Sequence, residues 1–177
     1  GDISTRGNIG GTDDVSVGGT VQSAGPKVFD GDVTVTTDFG KAGAVQSNVV
    51  INGNLTVDEA ITFDRDVTVL GDLTVTTGNA LTVQGNLTVR GSVTISDALV
   101  SQGDILFDGL NQSGSSVIVN TGGSISGRNI TIQNYNSTVS SAVRFEDTVT
   151  ANHGEIRIVH NTAPSGFLGA EIVGAVK

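Results

Sequence analysis

Val67-Thr68-Val69-Leu70-Gly71-Asp72-Leu73-Thr74-Val75 is nearly repeated by Leu81-Thr82-Val83-Gln84-Gly85-Asn86-Leu87-Thr88-Val89, and both echo Val49-Val50-Ile51-Asn52-Gly53-Asn54-Leu55-Thr56-Val57. Each copy is two short alternating steps separated by a Gly-Asp, Gly-Asn or similar pair. Alternation with period 2 is the mark of a strand with one face buried. The β-branched Val, Ile and Thr favour a pleated surface. Gly tolerates positive φ, and Asp or Asn can bond the backbone just beyond, so the pairs read as turns. The unit is turn, short strand, turn, short strand.

Outward from this stretch the phrase returns as Gly31-Asp32-Val33-Thr34-Val35, and less closely as Gly91-Ser92-Val93-Thr94-Ile95, Gly103-Asp104-Ile105-Leu106-Phe107 and Gly154-Glu155-Ile156-Arg157-Ile158. Successive coils read as residues 61–80, 81–98, 99–116 and 117–137. A repeat of roughly 18–21 residues falls where stacked units make a solenoid. No helical spacing is sustained, and Val57-Asp58-Glu59-Ala60 supplies one turn at most. A β-sandwich would need hairpins at regular intervals, and an up-and-down barrel longer strands.

The expected fold is therefore all-β: a single-domain parallel β-solenoid of roughly eight to nine short coils, a rod of roughly 40 Å at a strand spacing of about 4.8 Å. Val, Leu and Ile are expected to stack inside and Thr outside. Residues 1–27 read as an N-terminal coil and junction segment, 28–160 as the solenoid core, and 161–177 as a loop and a C-terminal strand spanning 170–176. Longer loops or bulged corners are expected at 36–48 and 134–142, and an interruption at 160–167.

Composition narrows the function. The 177 residues include 25 Gly but no Cys, Met or Trp, which excludes disulfides, thiolate metal sites and cysteine nucleophiles. The net charge is −9 and the 9 Lys and Arg are scattered, so no basic stripe offers itself to nucleic acid. No apolar run approaches the ~20 residues of a membrane-spanning helix. Gly1 in place of Met reads as a processed end, and an exported, cell-surface chain is expected.

The chemistry-bearing residues are sparse. Carboxylates recur at Asp13-Asp14, Asp30 and Asp32, Asp64 and Asp66, and Glu146-Asp147. Gly10-Gly11-Thr12-Asp13-Asp14-Val15 resembles a single copy of the glycine–aspartate calcium nonapeptide, which makes Asp13 and Asp14 the calcium candidates. The plainer reading is that Asp beside Gly shapes a turn, and no cofactor is expected. His153 and His160 are the only histidines, short of the three or four ligands zinc requires. No Gly-x-Ser-x-Gly elbow occurs, and Arg65, Arg90, Arg128, Arg144 and Arg157 are spread along the chain. No catalytic residue is assigned and an enzyme is not expected. The Thr-x-Thr pairs at Thr34/Thr36, Thr74/Thr76 and Thr148/Thr150 suggest an ice-matching array, but Asp58 and Arg90 break it in other copies. Asn54, Asn86, Asn111, Asn129 and Asn136 head glycosylation sequons, several of which follow from the repeat itself.

The stretch from Gly71-Asp72-Leu73-Thr74-Val75 to Ile95 resembles the Gly-Asn-Leu-Thr-Val repeats of filamentous-haemagglutinin-type adhesins and autotransporter passengers, and is similar to units in phage tail fibres. The resemblance covers residues 28–132 and is one of composition. It implies a parallel β-solenoid in an extracellular setting, working as an adhesin or a fibre, and transfers no catalytic residue. Bactofilin filaments are also short β-solenoids that polymerise end to end, but they lack this Thr-rich style.

A solenoid's terminal coils expose unpaired backbone groups and a slice of core. No amphipathic cap is visible in the sequence. The expected function is a structural subunit of an extracellular filament, joined to copies of itself head to tail or by exchange of a terminal strand. The interface candidates are Ile3, Ile9, Val15 and Val17 at one end and Leu168, Ile172, Val173 and Val176 at the other. The alternatives are a monomeric adhesin fragment binding surface glycans, against which the lack of Trp counts, and a polysaccharide-active β-helix enzyme.

Overall fold

The computed structural model describes residues 48–177 apart from Glu59 and Phe167, and, nearer the N-terminus, six short strands. These six are β1 (Ile3–Thr5), β2 (Ile9–Gly11), β3 (Val15–Val17), β4 (Val21–Ser23), β5 (Lys27–Phe29) and β6 (Val33–Val35). Next come β7 (Val49–Ile51), β8 (Leu55–Val57), β9 (Ile61–Phe63), β10 (Val67–Val69), β11 (Leu73–Val75), β12 (Leu81–Val83), β13 (Leu87–Val89) and β14 (Val93–Ile95). The remainder are β15 (Ala98–Ser101), β16 (Ile105–Asp108), β17 (Val117–Val119), β18 (Ser124–Gly127), β19 (Ile130–Gln133), β20 (Val143–Phe145), β21 (Val149–Ala151), β22 (Ile156–Val159) and β23 (Ala170–Ile172). Among the described residues there is no helix, hence none long and apolar enough to cross a membrane.

Every pairing is parallel and joins strands three apart in chain order, or two apart where β5 meets β7 and β6 meets β8. Three faces result. One is the eight-stranded sheet from β2 to β22, the second the eight-stranded sheet from β3 to β23, and the third the five-stranded sheet from β9 to β21. Strands β1 and β4 form a sheet of their own. The protein is a parallel β-solenoid. Among the described residues five turns carry a strand on all three long faces, fewer than the eight to nine coils the sequence suggests, although two faces continue to eight strands.

Side-chain alternation makes the core. Strands β7 to β14 all bury their first and third residues and turn the middle one outward. The in-register stacking sets Leu55, Leu73 and Val93 in one column and Val57, Val75 and Ile95 in the next, all fully buried. Outside, Thr56, Thr74 and Thr94 form a matching column. Burying a Val, Leu or Ile contributes roughly 1.5–3 kcal/mol, so the ladders hold adjacent turns together. On the third face the ladder tapers: Phe63 and Val83 give way to Ser101, and Gly127 pairs with Ala151. A side chain at Gly127 would meet Ile105 Cδ1 at 2.8 Å, so a neighbouring aliphatic takes the space.

The corners hold the turns in register. Asn54 Oδ1 accepts a hydrogen bond from the Asp72 N–H at 2.7 Å, and Asp72 Oδ1 accepts one from Ser92 N–H at 2.7 Å. On the neighbouring corner Asp66 Oδ1 accepts from Asn86 N–H at 2.7 Å and Asn86 Oδ1 from Asp104 N–H at 2.8 Å. Each side chain reaches the next turn, 18 or 20 residues on, instead of the adjacent backbone that the turn reading assigned to it. The preceding glycines are likewise required by space, not by φ. A Cβ on Gly71, Gly85, Gly91 or Gly103 would overlap the Oδ1 of the turn before it, and none of these four has positive φ.

The boundaries drawn from the repeat hold for the turns that begin at Ile61 and Leu81. They fail in the next, because β17 starts at Val117 and belongs to the same turn as β15 and β16. Six more residues separate Phe107 from Val117 than separate Val89 from Val93 in the turn before, so that equivalent residues here lie 24 to 26 apart. The expected strand over 170–176 is also divided. Strand β23 ends at Ile172, the chain turns at Gly174, and Val176 pairs with Val149 on the third face. Gly174 lies so close to the Asp147 backbone that no side chain fits there. The expected loop at 36–48 falls, but for Asn48, outside the described residues.

Candidate functional site

Among the described residues two places depart from the repeat. The first is the corner between β16 and β17, elaborated in three successive turns at residues 109–116, 134–142 and 160–169. The insertions stack on one another: Ser113 pairs with Asn136, and Asn136 with Thr162. Leu110, Asn111, Asn134 and His160 adopt left-handed backbone, with φ of 52°, 57°, 59° and 55°. The left-handed conformation bends the chain away from the regular corner, and Asn tolerates it better than most residues. The loop expected at 134–142 and the interruption at 160–167 are two of these insertions.

Asp108 lies at their root, 7% exposed. It accepts hydrogen bonds from Leu110 N–H at 3.1 Å, Gln133 Nε2 at 3.1 Å and Asn134 Nδ2 at 3.0 Å, with Arg90 Nη1 at 3.7 Å. Burial opposes its charge, but the bonds from Asn134, Gln133 and Leu110, together with Arg90, prevail and lower its pKa. A carboxyl group with a depressed folded pKa stabilises the fold above its unfolded value and loses that contribution as pH falls through the folded one. Asp108→Asn leaves one acceptor oxygen where two serve three donors. Urea titration should show a loss of about 1–3 kcal/mol at neutral pH, and the residual stability should fall less steeply below about pH 4 than in the parent.

Tyr135 fills the interior beneath the insertions and is fully buried. Its hydroxyl donates to the Gly91 carbonyl at 2.9 Å, and its N–H donates to Asn161 Oδ1 at 2.9 Å. Burial, with the charges of Asp108 and Asp72, pushes the hydroxyl pKa upward. Ser115 donates to Gln112 O at 2.7 Å, and Ser141 to Glu171 Oε2 at 3.1 Å. The side chains of Asp108, Tyr135, Ser115 and Ser141 are thus occupied in holding the loops; Ser141 has the Glu171 carboxylate beside it, and no His lies in either serine's bonds.

The second place is the turn formed by β22, β23 and Val176. Its inward positions are less covered than those of the described turns from β7 to β21: Ile156, Ile158 and Ala170 are half-buried. Leu168, Ile172, Val173 and Val176 are 62%, 49%, 68% and 43% exposed. Ile172, Val173 and Val176 are brought together on this turn, with Leu168 on the insertion leading into β23. Ile3, Ile9, Val15 and Val17 fall in β1, β2 and β3; β2 and β3 are the opposite edges of the sheets that end in β22 and β23. Strand edges with unpaired N–H and C=O groups are templates for another strand.

The calcium candidates Asp13 and Asp14 lie outside the described residues. Among the described residues no three His, Asp or Glu approach closely enough to hold a metal ion. His153 and His160 are both exposed. Of the other carboxylates, Asp104 pairs with Arg128 at 2.8 Å, which holds its pKa down to about 2, and Asp147 bonds Gly122 and Thr148 N–H groups, at 3.1 and 2.7 Å. Sequence reasoning missed Asp108 and Tyr135. The available signal was the single Tyr of the chain, set beside an Asn-rich break in the repeat. Compared with known proteins, the chain matches no family model, no curated protein and no solved structure.

Proposed function

We propose that this β-solenoid is a non-enzymatic structural element that extends into a filament by adding a second copy of itself to the open turn at β22 and β23, in an extracellular setting. The observation that carries this is the exposure of Ile172, Val173 and Val176 on a turn whose two sheets end in unpaired parallel edges. Apolar side chains and free edge groups are both satisfied by a further turn of the same kind, and a contact that repeats without closing makes a fibre. Asp108, Tyr135, Ser115 and Ser141 in the stacked insertions are engaged in bonds within the rod, which suits a structural role.

Light scattering and negative-stain microscopy of the full chain test this. Concentration-dependent growth into rods with an axial repeat of roughly 40 Å, from eight strand steps of about 4.8 Å, is expected. Ile172→Asp should hold the chain as a monomer at concentrations where the parent assembles, while its circular dichroism is unchanged, because Ile172 is half exposed. A parent chain that remains monomeric at every concentration overturns the proposal.

A further inference from the structure

The junction has a direction and a register that the sheets themselves specify. Resting on the filament reading above, we infer that β22 of one copy pairs with β2 of the next and β23 with β3, head to tail and in parallel. Strand β2 begins the sheet that β22 ends, and β3 begins the sheet that β23 ends. A copy added in the same sense therefore continues both sheets without changing strand direction. Continuing the observed registers sets Arg157 opposite Gly10 and Glu171 opposite Ser16, the middle positions of their strands.

Charge favours this sense. Glu171 already lies 3.8 Å from Arg144 Nε on its own sheet and receives the Ser141 hydroxyl. A two-fold, tail-to-tail contact centred on β23 would set Glu171 against its own copy, and like charges directly opposite across strands are destabilising. The head-to-tail register sets no two like charges opposite at these positions.

The two ends also differ in girth. At the N-terminal end Ile3 pairs with Val21, Ile9 with Lys27 and Val15 with Val33, the same short interval as Asn54 to Asp72, which is 18. At the other end the turns carry the insertions, and Asn129 bonds a residue 26 further on. In the sequence of the incoming turn β2 ends at Gly11 and β3 begins at Val15, against residues 160–169 between β22 and β23. That insertion is left overhanging at each junction, a ledge recurring once per subunit with Leu168 on it.

The chain contains no Cys, so introduced thiols report the contact alone. Ser16→Cys with Glu171→Cys, and separately Gly10→Cys with Arg157→Cys, should each give a ladder of covalent multimers under mild oxidation, since neighbouring strands hold Cα atoms within disulfide range. Each single substitution should give none. If the parent assembles but neither pair cross-links, the head-to-tail register is wrong and the filament reading survives; if Glu171→Cys alone yields covalent dimers, the contact is a closed two-fold one and both fail. If the parent does not assemble, both fail. The second pair guards against loss of the Glu171 contacts in the first.

Discussion

Gly91→Val should divide the rod. In urea the transition monitored by circular dichroism is expected to shift by at least about 3 kcal/mol, the upper end of the cost of overpacking a tight site, and to lose its single sharp step. A Cβ at Gly91 would overlap Asp72 Oδ1 and approach the Gly71 carbonyl carbon and oxygen at 2.5 Å. Asp72 Oδ1 cannot withdraw without releasing the Ser92 N–H it holds at 2.7 Å, and the Gly71 backbone belongs to the preceding turn. The remaining escape is to separate the two turns. Solenoid stability is a sum of terms between neighbouring turns, so weakening one interface uncouples the segments on either side. Gly78→Ala is the control. Gly78 has φ +87° and nothing near the added carbon, so its cost is the backbone strain of about 1–2 kcal/mol with the single transition retained. A sharp, barely shifted transition for Gly91→Val would show that the corner columns are not what locks the turns together.

The contrast between these glycines marks where the sequence is legible and where it is not. The alternation in Leu73-Thr74-Val75 identifies the strand, its buried face and its outward Thr, because all three depend only on period. The pair Gly71-Asp72 is equally visible, but its purpose is not. The atom that forbids a side chain at Gly71 belongs to Asn54, in the turn before, and a local reading assigns both residues to a turn of their own. The first two turns drawn from the repeat agree with the structure because nothing interrupts them. The third fails at Val117, since the insertion after Asp108 lengthens the turn without changing the apolar steps on either side. Of the open end, the apolar residues Ile172, Val173 and Val176 are plain in the sequence, whereas the corner at Gly174 that splits them between two faces depends on the nearby Asp147 backbone.

The insertions are also where a single side chain carries most. Tyr135→Ala should cost about 3–5 kcal/mol, the range for emptying a buried aromatic site, and Tyr135→Phe about 1–3 kcal/mol, the penalty for leaving the Gly91 carbonyl without its donor. Both are read from urea titrations by circular dichroism. The two variants separate on pH. Burial first, then the charges of Asp108 and Asp72, raise the folded pKa of the Tyr135 hydroxyl above its ordinary value near 10. The folded chain therefore keeps a proton that the unfolded chain releases. Stability from this source is complete below about pH 10 and declines as pH rises further. The parent should show no phenolate absorbance while it remains folded, then gain it together with alkaline unfolding. Tyr135→Phe has no such proton and should lose this part of the alkaline decline, although it starts from a lower stability at neutral pH. Phenolate appearing in the parent before any change in circular dichroism would mean that Tyr135 is reached by solvent in the folded rod. The stacked insertions would then be a loose cover over the core and not a packed part of it.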